Sequence, residues 1–530
     1  MDRRDLFRGA AGLAAASTLP RFAIAQGSAA RVLKFIPQAD LAVVDPIITT
    51  AYVTRNHGYM IWDTLYGFDE DYKPQPQMVQ GHVVEDGGRR VTMTLRDGLK
   101  FHDGEPVRAR DCIASIRRWA TRDALGQVMM TLVDELAAPD DKTIQFRFKQ
   151  PFPLLFEALG KPATPVCFIM PERLAKTDPA TAVKEIIGSG PFRWNAEERV
   201  PGARIVYERF ADYVPRADGK VSWTAGPKKV HFDRIEWNVM PDAATAANAL
   251  QNGEVDWWEQ PPGDLQIMLR RNRNVNLEIQ DPTGLMGMAR FNHLHPPFNN
   301  AGVRRALLGA VSQADYMTAV IGTDKSLWRD GVGIFTPDTP LANDAGMEVL
   351  TSPRDYEKVK RDLAAAGYNG EKVVLIAASD FPSLNALSQV GNDMLRKVGM
   401  NVEYVSTDWG TVVQRRASKE PVEKGGWSIF FTFWAGIDMI NPGVQQALRG
   451  HGQAAWFGWP TAPKLEELRN AWFEAPDLAA QKEIARKIQL QAFEDVPYLP
   501  LGQYFQAWAY RRNLTGVLKG LPMFWNVQRS

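Results

Sequence analysis

An α/β fold built from about three domain-sized units is predicted by three features of this 530-residue chain. Runs of alternating apolar residues recur between runs of helical apolar spacing, which is the pattern of interleaved strands and helices. The length favours about three units over one core, at roughly 100 to 200 residues each. Hydrophobic residues at 45% and charged residues at 23% sit at soluble averages. No apolar run of about 18 residues follows the N-terminal region, so a multispan membrane protein is excluded.

The elements follow in order. Val32-Leu33-Lys34-Phe35-Ile36 reads as a short apolar strand. Val91, Met93 and Leu95 alternate with Thr92 and Thr94, as a half-buried strand requires. Ile144, Phe146 and Phe148 repeat that pattern, and Cys112, Ile113, Ile116 and Trp119 place a helix over about 108–120. Further on, Ile235, Trp237 and Val239 alternate, Pro241-Asp242 starts a helix through Ala243 to Leu250, and Asn252-Gly253 stops it. Glu254 to Trp257 then returns as a strand, and the right-handed crossover makes the two strands parallel neighbours in one sheet. Similar signals continue to about residue 495, with no fixed-period repeat, low-complexity tract or long linker.

The first residues read as an export signal. Arg3, Arg4 and Arg8 precede a small and apolar stretch, and Ala23-Ile24-Ala25 supplies a small-x-small cleavage site. Residues 1–25 are therefore set apart from the fold, and RRDLFR resembles a twin-arginine signal with Leu6 and Phe7 in swapped order. Removing the four Arg and two Asp of that segment takes the formal charge from +1 to −1. Such a chain has no electrostatic case for nucleic acid or anionic lipid. Arg89-Arg90, Arg304-Arg305 and Arg415-Arg416 are scattered, each read as a solvated face or a local ion pair. Cys112 and Cys167 are the only cysteines and neither lies near the cleavage site, so no lipid anchor is expected. They read as two buried free thiols, with a disulfide as the alternative.

Catalytic motifs are nearly missing. There is no GxSxG, HExxH, CxxC, phosphate-loop or GxGxxG pattern. His293-Leu294-His295 has a metal-like spacing, but Pro296-Pro297 marks it as a rigid loop entry. No catalytic residue, metal or cofactor is expected.

VTMTLRDGLKFHDGEPVRARDCIASIRRW at 91–119 resembles the signature segment of the family 5 extracytoplasmic solute-binding proteins, which take peptides, nickel, opines and related solutes. The likeness continues through WDTLYGFD at 62–69, IIGSGPFRW at 186–194, HFDRIEW to NGEVDW at 231–257, FNHLHPPFNNAGVRRAL at 291–307 and LAAAGYNG at 363–370. Within the signature, His102 and Asp103 read as scaffold rather than solute contacts. The resemblance implies a periplasmic-binding-protein-like α/β fold (class II, cluster C), with two lobes around a cleft and an extra third domain. It implies a discontinuous first lobe from 26–65, 187–290 and 500–530, an extra domain at 66–186 and a second lobe at 291–499. Closure of the lobes swallows the solute.

In that family the stretch matched by GGWSIFFTFWAGIDMINP at 425–442 carries an aspartate for the solute's free amine. Asp438 takes that place, with Ile437 inserted before it and Asn441-Pro442 where a second Asp-Pro is usual; a turn-capping role is the alternative. Sixteen tryptophans are present. The resemblance brings Trp434, Trp258, Trp257, Trp409 and Trp427 towards the cleft, with Tyr52 and Asn292 as further lining residues; their faces suit apolar, aromatic or cationic solutes. The expected function is a periplasmic, monomeric receptor for a peptide-like solute, serving an ABC permease and its ATPase. A chemoreceptor sensor and a periplasmic peptide hydrolase are the rivals.

Overall fold

The computed structural model describes residues 31–530. The export signal lies outside the described residues. Three sheets organise the chain. The first has seven strands in the spatial order Val275–Ile279, Ala507–Arg511, Trp257–Trp258, Val32–Ile36, Arg234–Asn238, Arg204–Arg209, Phe192–Val200. The second has six, in the order Trp328–Arg329, Tyr498–Tyr504, Leu285–Phe291, Ile429–Ala435, Lys372–Ala378, Asn401–Thr407. The third is a four-stranded antiparallel sheet between residues 79 and 148.

Local pattern became structure where periodicity was strong. Arg90–Leu95 and Thr143–Phe148 are strands, and Val91, Met93, Leu95, Ile144, Phe146 and Phe148 all point into the core of the third unit. Helix Ala109–Ala120 lays Cys112, Ile116 and Trp119 on the same core. Cys112 and Cys167 are buried free thiols.

The expected pairing of the two strands around helix Ala243–Asn252 needs correction. Arg234–Asn238 and Trp257–Trp258 share a sheet and a direction, but Val32–Ile36 lies between them, parallel to both. The crossover rule fixes handedness and sheet, not adjacency, and the apolar N-terminal strand fills the gap. The returning strand is also shorter than expected, starting at Trp257.

Sheet membership moves the lobe boundaries. Leu285–Phe291 pairs with Ile429–Ala435 and with Tyr498–Tyr504, so divisions at 290/291 and 499/500 would cut two strands of the second sheet. The chain crosses between the lobes just before Leu285 and just after Tyr504, and the two crossings run side by side. Gly284 has φ +62, and a Cβ there would stand 2.8 Å from the Tyr504 carbonyl oxygen, so the position requires glycine.

The family-like segments meet at one node beneath the cleft. Trp62 Nε1 donates to the Ile187 carbonyl at 3.0 Å, and Gly190 N–H donates to the Ile61 carbonyl at 2.8 Å. His102 sits on the same turn. Gly188 N–H donates to its Nδ1, which leaves Nε2 to donate to the Gly190 carbonyl, and burial pushes its pKa down to about 4. His102 is thus a neutral scaffold histidine. A Cβ on Gly188 would lie 2.0 Å from the Ile61 oxygen, which is backbone and cannot rotate away. Gly188→Ala is expected to cost about 3 kcal/mol; a urea midpoint unchanged from wild type would contradict this packing.

Candidate functional site

The first lobe, the inserted domain and the second lobe converge on one cleft. At its centre is a cavity of about 20 Å³, walled by Thr50 and Tyr52 from the first lobe and by Trp409, Arg416, Trp434 and Trp456 from the second. That is room for about one water. Thr50 and Trp456 also line a recess of about 340 Å³, to which the inserted domain contributes Thr121, Arg122, Gln127 and Pro165. The lobes are packed together over this space, with aromatic residues of both in one continuous apolar core. This is a closed conformation.

Each expected site residue has a definite place. Tyr52, Trp409 and Trp434 line the cavity. Asp438 does not; it is fully buried beside it and joins all three units. Its carboxylate accepts from the Tyr52 hydroxyl of the first lobe and, at 3.1 Å, from Thr164 N–H of the inserted domain. The Tyr52 oxygen in turn accepts from Ala435 N–H. Burial pushes the Asp438 carboxyl above its ordinary range, against the pull of Arg55, Tyr52 and Lys161. Its contacts are therefore long-range, and no side-chain cap is formed on its own turn at Gly436–Met439.

The other four candidates are corrected to core positions. Trp257 packs among Phe35, Trp508 and Phe524 inside the first lobe, and Trp258 belongs to the small cluster under helix Ala243–Asn252. Trp427 packs on Phe430 and Trp459 while its Nε1 donates to the Ser418 carbonyl. Asn292 ties backbone, donating to Trp427 O at 3.0 Å and accepting from Leu294 N–H. Large aromatics fill cores more often than clefts, because their area is the main source of burial energy. His293 and His295 bond the Pro497 and Lys419 carbonyls, respectively, and no cluster of three metal-ligating side chains occurs among the described residues.

Two site residues escaped the sequence reading. Trp456 stands edge-on to Trp434 at 5.1 Å and donates from Nε1 to Thr50 Oγ1 at 3.1 Å. Arg416 was expected on a solvated face or in an ion pair, and it is in neither. It is 2% exposed and forms no ion pair among the described residues; its one hydrogen bond is to Thr49 Oγ1 at 3.3 Å, across the lobe boundary. Phe457, Trp409, Trp456 and Phe430 surround its guanidinium at 4.9 to 5.8 Å. Burial pushes its pKa down to about 9. Its only sequence signal was the RR pair, which does not say that Arg415 would bond the Gly425 and Gly426 carbonyls while its neighbour turned inward.

This architecture has known counterparts. Residues 73–455 match the model of the bacterial extracellular solute-binding proteins, family 5. A Sinorhizobium fredii protein named Probable peptide ABC transporter periplasmic-binding protein y4tO is 37% identical over 535 residues, with both chains fully covered. The glutathione-binding protein GsiB of Pectobacterium atrosepticum is 25% identical over 503 residues, covering 89% of this chain and 88% of that one. Among solved structures, the periplasmic binding protein DppA of Helicobacter pylori, in complex with the peptide STSA, superposes with a TM-score of 0.77 at 22% identity, covering 94% of this chain and 98% of that one. With its cleft closed between two lobes and an inserted domain, this chain belongs to the bacterial extracellular solute-binding proteins, family 5.

Proposed function

We propose that the protein is the solute receptor of an ABC importer, that it binds a peptide or peptide-like solute in the interlobe cleft, and that it delivers the solute to a membrane permease and its ATPase without altering it. The observation that carries this reading is the cleft itself, an aromatic-walled space assembled from three units and held shut by side chains reaching across the boundaries. The names of the similar proteins support the peptide class. Export through the twin-arginine-like leader to the periplasm, and action as a free monomer, complete the reading. Among the described residues no helix is long and apolar enough to cross a membrane.

Closure is the working step. A cavity of about 20 Å³ admits no peptide, so the lobes must part for entry and close again around the solute. A solute that binds the closed state preferentially shifts the population towards it, and the permease reads that state. Clasps such as Tyr52 to Asp438 stabilise the closed state without touching solute. Small-angle scattering should therefore give a smaller radius of gyration with a saturating bound peptide than without. An unchanged radius at saturation would reject lobe closure, and failure of any peptide in a broad library to bind in calorimetry would reject the receptor reading.

A further inference from the structure

The cavity presents hydrogen-bond donors that nothing in the protein answers. Arg416 Nε is buried without a partner, and so is Trp434 Nε1. Both side chains line the same small cavity. Its other walls are largely aromatic and aliphatic, with no carboxylate among them. A buried guanidinium without a counter-charge is a costly arrangement in a folded chain, since desolvation is not offset by an ion pair. The four surrounding rings offset part of that cost and hold the guanidinium in place, but they supply no acceptor. Other deeply buried arginines here are treated differently. Arg290 donates to four backbone carbonyls, and Arg469 pairs with Glu466 at 3.0 Å. Arg416 alone of these three stands in the cleft and lacks such partners.

We propose that Arg416, assisted by Trp434 Nε1, is the receptor for a carboxylate of the solute. The proposal rests on the solute-receptor reading and narrows it: the ligand is an organic acid or a peptide whose free carboxyl end enters the aromatic box first. A carboxylate matches a guanidinium edge in plane and charge, and its second oxygen can accept from the indole N–H. Thr49 connects this contact to closure, because its hydroxyl lies on the opposite lobe and already accepts from the same guanidinium. Charge neutralisation at Arg416 thus favours the closed state over the open one, where water would solvate the guanidinium.

The test uses the full mature protein and a library of di- and tripeptides, each paired with its C-terminal amide, read by calorimetric titration. Wild type is expected to bind the free acids at least about thirtyfold more tightly than the amides. Arg416→Met should remove that preference, leaving acids and amides equal, whereas Trp434→Phe should reduce it by about threefold to tenfold. Acids and amides that bind wild type within threefold of each other overturn the carboxylate assignment while leaving the receptor reading intact. No binding by any member overturns the receptor reading, and the assignment falls with it. Thermal melting of the solute-free variants gives an independent readout. Arg416→Met should melt no lower than wild type, since it removes an uncompensated buried cation; a large loss restored by Arg416→Lys would mark a structural cation and reject the proposal.

Discussion

Lys228→Met should lower folding stability by about 3 to 5 kcal/mol at neutral pH, the usual result of removing one partner of a buried ion pair. Lys228 and Asp63 are both fully buried and 2.7 Å apart. Asp63 also accepts from Thr64 N–H and from the Tyr213 hydroxyl, each at 2.9 Å, and the ammonium lies 4.6 Å from the Trp525 ring centre. Replacing the ammonium by a methyl thioether leaves the packing volume near native and the carboxylate without its cation. The loss should appear as a lower urea midpoint with an unchanged slope. A change under about 1 kcal/mol would show that the pair is not a stability element.

The pH dependence supplies a second reading of the same pair. Burial raises the Asp63 carboxyl, but Lys228, with help from Arg96, more than offsets this and holds it below the ordinary carboxylate range. A depressed folded pKa contributes stability that is present above the unfolded value, about 3.9, and is lost as pH falls through the folded value. In Lys228→Met the offset is gone, burial dominates, and the folded pKa rises above the unfolded one. The sign then reverses: the variant regains stability as acid protonates Asp63. The gap between wild type and variant should therefore narrow as pH falls from 7 towards 4. A gap that widens over that range would contradict the assignment.

What the sequence made legible, and what it hid, divides along range. Alternation over Val91 to Leu95 and the spacing of Cys112, Ile116 and Trp119 report contacts within one unit, and both became the elements they predict. The matched segments also located the cleft, since Tyr52, Trp409 and Trp434 do line it. The errors concern partners far away in sequence. Trp257 and Trp434 look alike as sequence, and only the sheet around each decides between core and cavity. Arg416 meets Thr49 across 367 positions, and Asp438 meets Tyr52 across 386. The lobe boundaries failed for the same reason: Leu285–Phe291 is a strand of the second sheet because of its pairing with 429–435 and 498–504. Local pattern gives a strand's face but not the sheet it joins.

Asp438→Asn should weaken solute binding by about tenfold to a hundredfold, and the solute's own amine should have no part in the loss. The carboxylate accepts from Tyr52 and Thr164, donors on two other units, with Arg55 and Lys161 supplying positive field. Asparagine keeps the shape but offers one carbonyl oxygen, so one donor must face an amide NH₂ instead. Leaving a buried donor unsatisfied costs about 1 to 3 kcal/mol. The cost falls on the closed state alone, since opening separates the lobes and lets water reach these groups. Affinity measured from the open state drops by the same free energy, at tenfold per 1.4 kcal/mol. Tyr52→Phe removes the other half of the contact and should act in the same direction, with a double variant less than additive. The amine role implied by the family pattern makes a separable claim, because a solute ammonium held by Asp438 would be needed for binding. Titrating wild type and Asp438→Asn with a peptide and its N-acetyl derivative decides between them. For a clasp, wild type binds both derivatives within threefold and the variant loses the same factor for each. If acetylation alone abolishes wild-type binding and the variant no longer distinguishes the two peptides, Asp438 opens towards the solute and the clasp reading fails.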